Sequence, residues 1–306
     1  MTDKTLGVGL SIDVKDPNFR DIGSQIDEAR HLGANFVELP LHKLDIVVGG
    51  RILKDRLADL KERITNHGVA YTLHGHLGIN LMEDSHLIGL HRDVLKANLE
   101  IAQALGAVHL VIHSGFCRPQ QASSVEHAYD RQREILASLG GEAEAADVVI
   151  CVENIFTYDF ARHTALPSRL AAELRLVDHP FIQATFDFSH GYQHCAQVGA
   201  DFVTEAKALT PFSKHLHLHD SFGRPKDFWT YSLTEDLAFG AGDLHLPMGW
   251  GSIPWDRIAA ECAFPDGVVG DVELQYRYWS EARATVEAAR AFCARLGGAP
   301  LAVAAE

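Results

Sequence analysis

Eight short apolar runs, separated by longer stretches with helical periodicity, constrain this chain of 306 residues more than any other feature. They read LGVGLSID, NFVELP, VAYTLHGH, VHLVIHSG, VVICVEN, IQATFDFSH, KHLHLHD and VVGDVELQ. VVICV is apolar throughout, as expected of a parallel strand buried on both faces. Eight strands alternating with helices predict one (β/α)8, or TIM, barrel spanning residues 1–306. The sequence contains no linker or low-complexity segment that would divide it, and GGAPLAVAAE at 297–306 reads as a loose tail.

The strand ends carry the chemistry. His74, His113, Glu153, Asp187, His190, His217 and Glu273 sit at or just past the ends of six runs, and Asp243 and His245 lie in a later loop. Catalytic groups of such barrels collect at the carboxyl ends of the strands. The spacing predicts helices near Phe19–Leu32, Leu53–His67, Ser85–Leu105, Ser124–Leu139 and Ser280–Leu296. Glycines follow the first and third, and the His67-Gly68 pair closes the second. The stretch from Ser221 to Gly251 is too long for an ordinary connection and is expected to serve function.

Composition excludes several classes. An apolar content of 47% can fill a large core, and a formal charge of −14 disfavours nucleic acid as a partner. It does not exclude one, because divalent cations offset carboxylates locally. Five cysteines without CxxC spacing fit a reducing compartment. MTDKTLGVGL carries no signal-type apolar segment, and no run approaches the roughly 20 residues of a membrane span, so a cytoplasmic location is expected.

Each candidate has a bland alternative. His74 and His76 share a face, so either can ligate, and alone each reads as a satisfied core histidine. His109 shares the parity of His113 but lies deeper and reads as packing. Glu153 is harder to dismiss, since a carboxylate ending VVICV is a costly buried charge unless paired or metal-bound. Among His215, His217 and His219, His217 is the preferred ligand, His219 is expected nearer the substrate, and His215 reads as structural. Asp243 and His245 taken alone suit a solvated polar turn. Asp271 competes with Glu273. Histidine with carboxylate selects zinc-like ions, zinc first with manganese or iron as alternatives, over all-oxygen calcium or magnesium cages. Nine donors exceed what one ion needs, so two or three ions per chain are expected.

Local motifs extend the reading: His74 with Asn80, the strand-terminal His113, Glu153-Asn154, Asp187-x-x-His190, H-L-x-D-S from His217, and D-x-H-x-x-x-G-x-G from Asp243 to Gly251, closed by Glu273. In these the chain resembles the xylose-isomerase-like barrel superfamily, which joins endonuclease IV with sugar isomerases and epimerases, from about residue 6 to 290. The resemblance to endonuclease IV implies a three-zinc site on all nine ligands. That to the epimerases implies one ion on Glu153, Asp187, His217 and Glu273, with the two glutamates moving a proton. Leu77 and Gly78 stand where the endonucleases carry a DNA wedge, so cleavage of abasic DNA is disfavoured.

Two activities are therefore expected to compete. A metal-dependent phosphoesterase uses the whole ligand set and is the leading expectation because of Asp243 and His245. A sugar or sugar-phosphate isomerase or epimerase uses Glu153 and Glu273, with His76, His219 and Trp250 at the substrate and Phe156 and Trp279 bordering a small pocket. A degenerate barrel turned binding module would have lost ligands, and none is lost.

Overall fold

The computed structural model describes residues 5–118, 125–156 and 162–296. The expected tail at 297–306 and the expected helix start at Ser124 lie outside them. The eight runs form strands β1 (Thr5–Ser11), β2 (Phe36–Pro40), β3 (Ala70–His74), β4 (His109–His113), β5 (Val149–Glu153), β6 (Ile182–Asp187), β7 (Ser213–His217) and β8 (Val268–Val272). Each pairs in parallel with its sequence neighbours, and β8 pairs with β1 to close the barrel. The protein is a single (β/α)8 TIM barrel.

Helices α1 (Ile22–His31), α2 (Lys54–Ile64), α3 (Ile88–Leu105), α4 (Val125–Ala146) and α5 (Pro167–Val177) follow the first five strands. After β6 come α6 (Phe188–Val198) and α7 (Phe202–Leu209). After β7 come α8 (Leu233–Phe239) and α9 (Trp255–Glu261), and α10 (Ala282–Cys293) ends the described chain. Ile22, Ile26 and Ala29 give α1 one fully buried stripe at helical spacing. Several boundaries differ from expectation: α1 starts at Ile22 instead of Phe19, α3 at Ile88 instead of Ser85, α10 ends at Cys293 instead of Leu296, and α2 and α4 differ at their ends. Helix α2 stops at Ile64 because Thr65 is already extended. Helix α4 runs on through Gly140, where a β-carbon would come within 2.5 Å of the His179 ring, so glycine there serves packing rather than termination. Among the described residues no helix is long and apolar enough to cross a membrane.

Strand period decides what fills the barrel. Residues two apart point the same way, so the groups one layer below His74, Glu153 and His217 are Thr72, Cys151 and His215. With Glu38, His109, Thr185 and Asp271 they form a buried, largely polar interior, each at most 3% exposed. The aliphatic residues of alternate parity, such as Leu39, Leu73, Leu110, Ile150 and Leu216, are fully buried outside it. Gly9 belongs to this interior: a β-carbon there would stand 2.1 Å from Asp271 Oδ1.

Candidate metal centre

Register brings the expected ligands level with one another. His113 is the Cα partner of Glu153 across β4 and β5, and Asp187 is that of His217 across β6 and β7. Asp187 is also the N-cap of α6. Its side chain accepts the backbone N–H of His190 at 2.7 Å, which explains the D-x-x-H spacing. Asn154 ties the same strand end, donating to the Asp187 carbonyl at 2.9 Å and accepting its N–H at 3.0 Å.

The loop residues are delivered by a bridge. Asp220 and Leu246 exchange backbone hydrogen bonds at 2.9 and 3.1 Å, drawing Asp243 and His245 over the barrel mouth. The Asp220 carboxylate then accepts from Gly249 N, Ile253 N and Trp255 Nε1 at 2.8, 3.2 and 3.1 Å. His245 has φ of +44°, a conformation that costs a non-glycine residue about 1–3 kcal/mol and concentrates at functional sites. Its Nδ1–H donates to the Glu273 carbonyl at 3.0 Å, and its ring lies flat on His219 with centroids 4.0 Å apart.

All nine expected ligands converge in three overlapping groups. In the first, Glu153 Oε2 faces His74 Nε2 at 3.4 Å and His113 Nε2 at 3.6 Å. In the second, His217 Nδ1 faces Glu153 Oε1 and Glu273 Oε2, each at 3.3 Å, and Asp187 Oδ2 at 3.6 Å. In the third, Asp243 Oδ2 lies 2.8 Å from His245 Nε2 and 3.3 Å from His190 Nε2. Glu153 Oε1 also reaches His190 Nδ1 at 3.0 Å, joining the groups.

The donor set fits divalent ions. Two ligands about 2.1 Å from one tetrahedral ion stand roughly 3.4 Å apart, close to the spacing of the first two groups. Glu153 Oε2 is buried and finds no hydrogen-bond partner among the described residues, an expensive state for a carboxylate oxygen unless a cation is its partner. Burial opposes charge throughout, yet the imidazoles of His217 and His113 hold the Glu153 carboxyl well below its ordinary range, and those of His245 and His190 do the same for Asp243. Burial likewise opposes charge on His74, but Glu153 outweighs it and keeps the imidazole up at about 9. Asp243 keeps His245 up at about 10 against burial. His113 follows burial instead, down to about 4. His74, His113 and Glu153 suit one ion, Glu153, Asp187, His217 and Glu273 a second, and His190, Asp243 and His245 a further one.

A cavity of about 320 Å³ opens above these groups. Its walls include Asp13, His42, Lys43, Leu77, Tyr276 and Trp279. Three residues expected at the substrate are placed elsewhere. His76 turns to α3, where its Nδ1 meets Asn98 Oδ1 at 2.8 Å, which leaves His74 as the strand-three donor. His219 is fully buried beneath His245, 3.0 Å from Asp187 Oδ2. Trp250 is 52% exposed and packs edge-on against Tyr278. Phe156 packs on His190, and Trp279 does border the cavity.

Sequence reasoning misses Glu38 and His42. Glu38 lies in the middle of the buried strand FVELP, where the buried-charge argument made for Glu153 applies equally. His42 follows in a short 3-10 turn and gives no periodic signal.

Fold and site together define a (β/α)8 protein with a His/Asp/Glu centre of metal-binding type. The chain belongs to the xylose isomerase-like TIM barrel family, whose sequence model matches residues 26–294. Comparison with curated proteins returns no match. Among solved structures it is similar to a D-tagatose 3-epimerase-like protein, with a TM-score of 0.69 and 16% identity over 94% of this chain and 98% of that one. It is similar also to the IolI protein with a bound zinc atom (TM-score 0.65, 16% identity, 94% and 98% covered). A third is the 3-keto-D-glucoside 4-epimerase of E. coli (TM-score 0.62, 14% identity, 93% and 98% covered). At these identities the likeness establishes the fold.

Proposed function

We propose that the protein is a divalent-metal-dependent isomerase or epimerase of a small sugar. The observation that carries this reading is the position of Glu153 and Glu273. They come from β5 and from just past β8, and their carboxylates approach the same His217 Nδ1 at 3.3 Å each, at the base of a small cavity. A zinc-class ion held by Glu153, Asp187, His217 and Glu273 would polarise a carbonyl and its neighbouring hydroxyl. One glutamate then removes the proton from the hydroxyl-bearing carbon and the other returns one. The names of the epimerases with similar folds support the same class.

The walls favour an unphosphorylated substrate. Lys43 is the only Lys or Arg among the described lining residues, and Asp13 holds it at 2.6 Å. Burial pushes the His42 imidazole down to about 4, so the ring in the cavity wall adds no positive charge for a phosphate. The stacked pair Tyr276 and Trp279 offers an apolar face beside it.

Phosphoester hydrolysis, the leading expectation from sequence, becomes the second reading. It rests on the third group, Asp243 with His190 and His245, which a one-ion epimerase does not need. The test is incubation of the metal-loaded protein with a ketose panel in deuterated water. Deuterium entering the substrate carbon together with a second isomer is expected, and Glu273→Gln should abolish both. No exchange with any ketose, with phosphate released from a phosphoester panel, would overturn the proposal in favour of hydrolysis.

A further inference from the structure

One layer below the metal-type ligands, the barrel interior holds a second polar cluster, of which Ser11 and Glu38 also line the cavity. Its centre is Glu38, 1% exposed. The Thr72 hydroxyl donates to Glu38 Oε2 at 3.3 Å, and the Ser11 hydroxyl, 3.5 Å from Oε1, gives its one hydrogen to Asp271 Oδ2 at 2.6 Å. On the other side Oε1 lies 3.3 Å from His217 Nε2, and Oε2 lies 3.1 Å from His215 Nε2. His215 Nδ1 in turn meets His109 Nδ1 at 3.3 Å. All three imidazoles are buried.

We propose that Glu38 is a positioning residue that sets the ring protons of these histidines, so that His217 presents a bare Nδ1 to the metal centre. His217 Nδ1 meets Glu153 Oε1 at 3.3 Å, and once a cation takes that nitrogen one order of protons remains. A carboxylate can only accept, so His217 and His215 carry their hydrogens on Nε2, facing Glu38. His215 Nδ1 is then bare, and the Nδ1–Nδ1 contact is a hydrogen bond only if His109 carries its hydrogen on Nδ1. Two hydrogens facing each other at that distance would repel. Neither Nε2 points straight at its oxygen, so Glu38 acts mainly through its charge. Imidazole ligands elsewhere are held by such outer carboxylates, which orient the ring and raise its basicity.

Glu38, His215 and His217 are also close enough to hold a further ion themselves. That use would take both nitrogens of His217, one for each ion, and strip its ring proton. It would also leave the Thr72 hydroxyl competing with a cation for Glu38. The relay avoids that cost.

The inference rests on His217 as a ligand, and the experiment separates the two claims. Long-range ¹H–¹⁵N spectra of the histidine rings are recorded on zinc-loaded protein and on metal-free protein. With zinc, His217 should keep its hydrogen on Nε2. In both samples His215 should show Nε2–H and His109 Nδ1–H. Opposite tautomers at His215 and His109 would overturn the relay. In Glu38→Gln, the amide can accept from only one imidazole and turns an N–H₂ toward the other. At least one ring should therefore change tautomer, and zinc affinity should fall on the order of 10- to 100-fold. Unchanged affinity with an unchanged ring pattern would also overturn the proposal. If that variant fails to fold, the wild-type spectra alone decide. A wild-type chain that binds no zinc would overturn the metal reading and with it the role given to His217, while His215 and His109 still report on the relay.

Discussion

Asp187 is tied to His190 through both of its carboxylate oxygens. Oδ1 accepts the His190 backbone N–H at 2.7 Å as the cap of α6, and Oδ2 stands 3.5 Å from His190 Nδ1 on the side of the metal-type cluster. One residue thus starts a helix and supplies a ligand, and the two tasks separate by mutation. Asp187→Asn should keep the cap and near-wild-type stability while losing metal. Asp187→Ala should lose metal and, beyond that, about 1 kcal/mol of stability. Thermal melts of the two metal-free variants give the comparison, and equal stabilities would remove the cap from the account.

Asp243 and His245 reach the cluster on the loop that the bridge at Asp220 anchors. Replacing both by alanine should lower the metal content of freshly purified protein by about one ion, since a site needs about three protein ligands. The group of His74, His113 and Glu153 should keep its share. An unchanged metal count would mean that Asp243 and His245 form a hydrogen-bonded pair and no more.

In the metal-free protein His74 and His245 stay protonated up to about pH 9 and 10, against burial, because Glu153 and Asp243 stand beside them. A raised folded-state pKa stabilises fully below the unfolded value and is lost as pH rises through the folded one. Chelator-treated protein should therefore lose stability between pH 7 and 10. Zinc binding at pH 7 should expel these protons, so affinity should rise with pH. Calorimetry in buffers of different ionisation enthalpy measures the protons, and finding none released would contradict the assignment.

Gly251 sits where a β-carbon would lie 2.3 Å from both Asp220 Oδ1 and the Ser221 carbonyl. Gly251→Ala should cost about 1–3 kcal/mol by overpacking and loosen the bridge that carries Asp243 and His245. Stability and metal content should fall together. A fully stable variant with its full metal content would show that the loop relaxes around the added methyl.

His42 touches the cavity but none of the metal-type groups at ligand distance. Under the sugar reading, His42→Ala should raise KM with little change in metal content, while kcat changes less. A loss of metal equal to that of His74→Ala would instead make His42 part of the centre.

Much of the site is legible along the chain because strand periodicity and burial are local rules. A carboxylate closing VVICV, or histidines at alternate positions of HLHLHD, carries its unusual cost in its own neighbours. Asp243 and His245 were read through their motif, since a loop has no period. Other features escape because they are decided across the barrel. His74 and His76 share parity, and only the approach of α3, with Asn98 waiting for His76, separates them. Likewise His219 shares a face with His217, but the loop lays His245 over it and closes it off from the cavity.

The sequence by itself determined the eight strands, their parallel closure and the types of donor at their ends, because hydrophobic period and buried charge act within a few residues. Tertiary structure alone decided which donors share an oxygen, how small the cavity is, and that Glu38 lies under His217 from a strand that is not its neighbour. Those are distances between segments far apart in the chain, set by barrel closure and by one loop bridge, and no local preference encodes them.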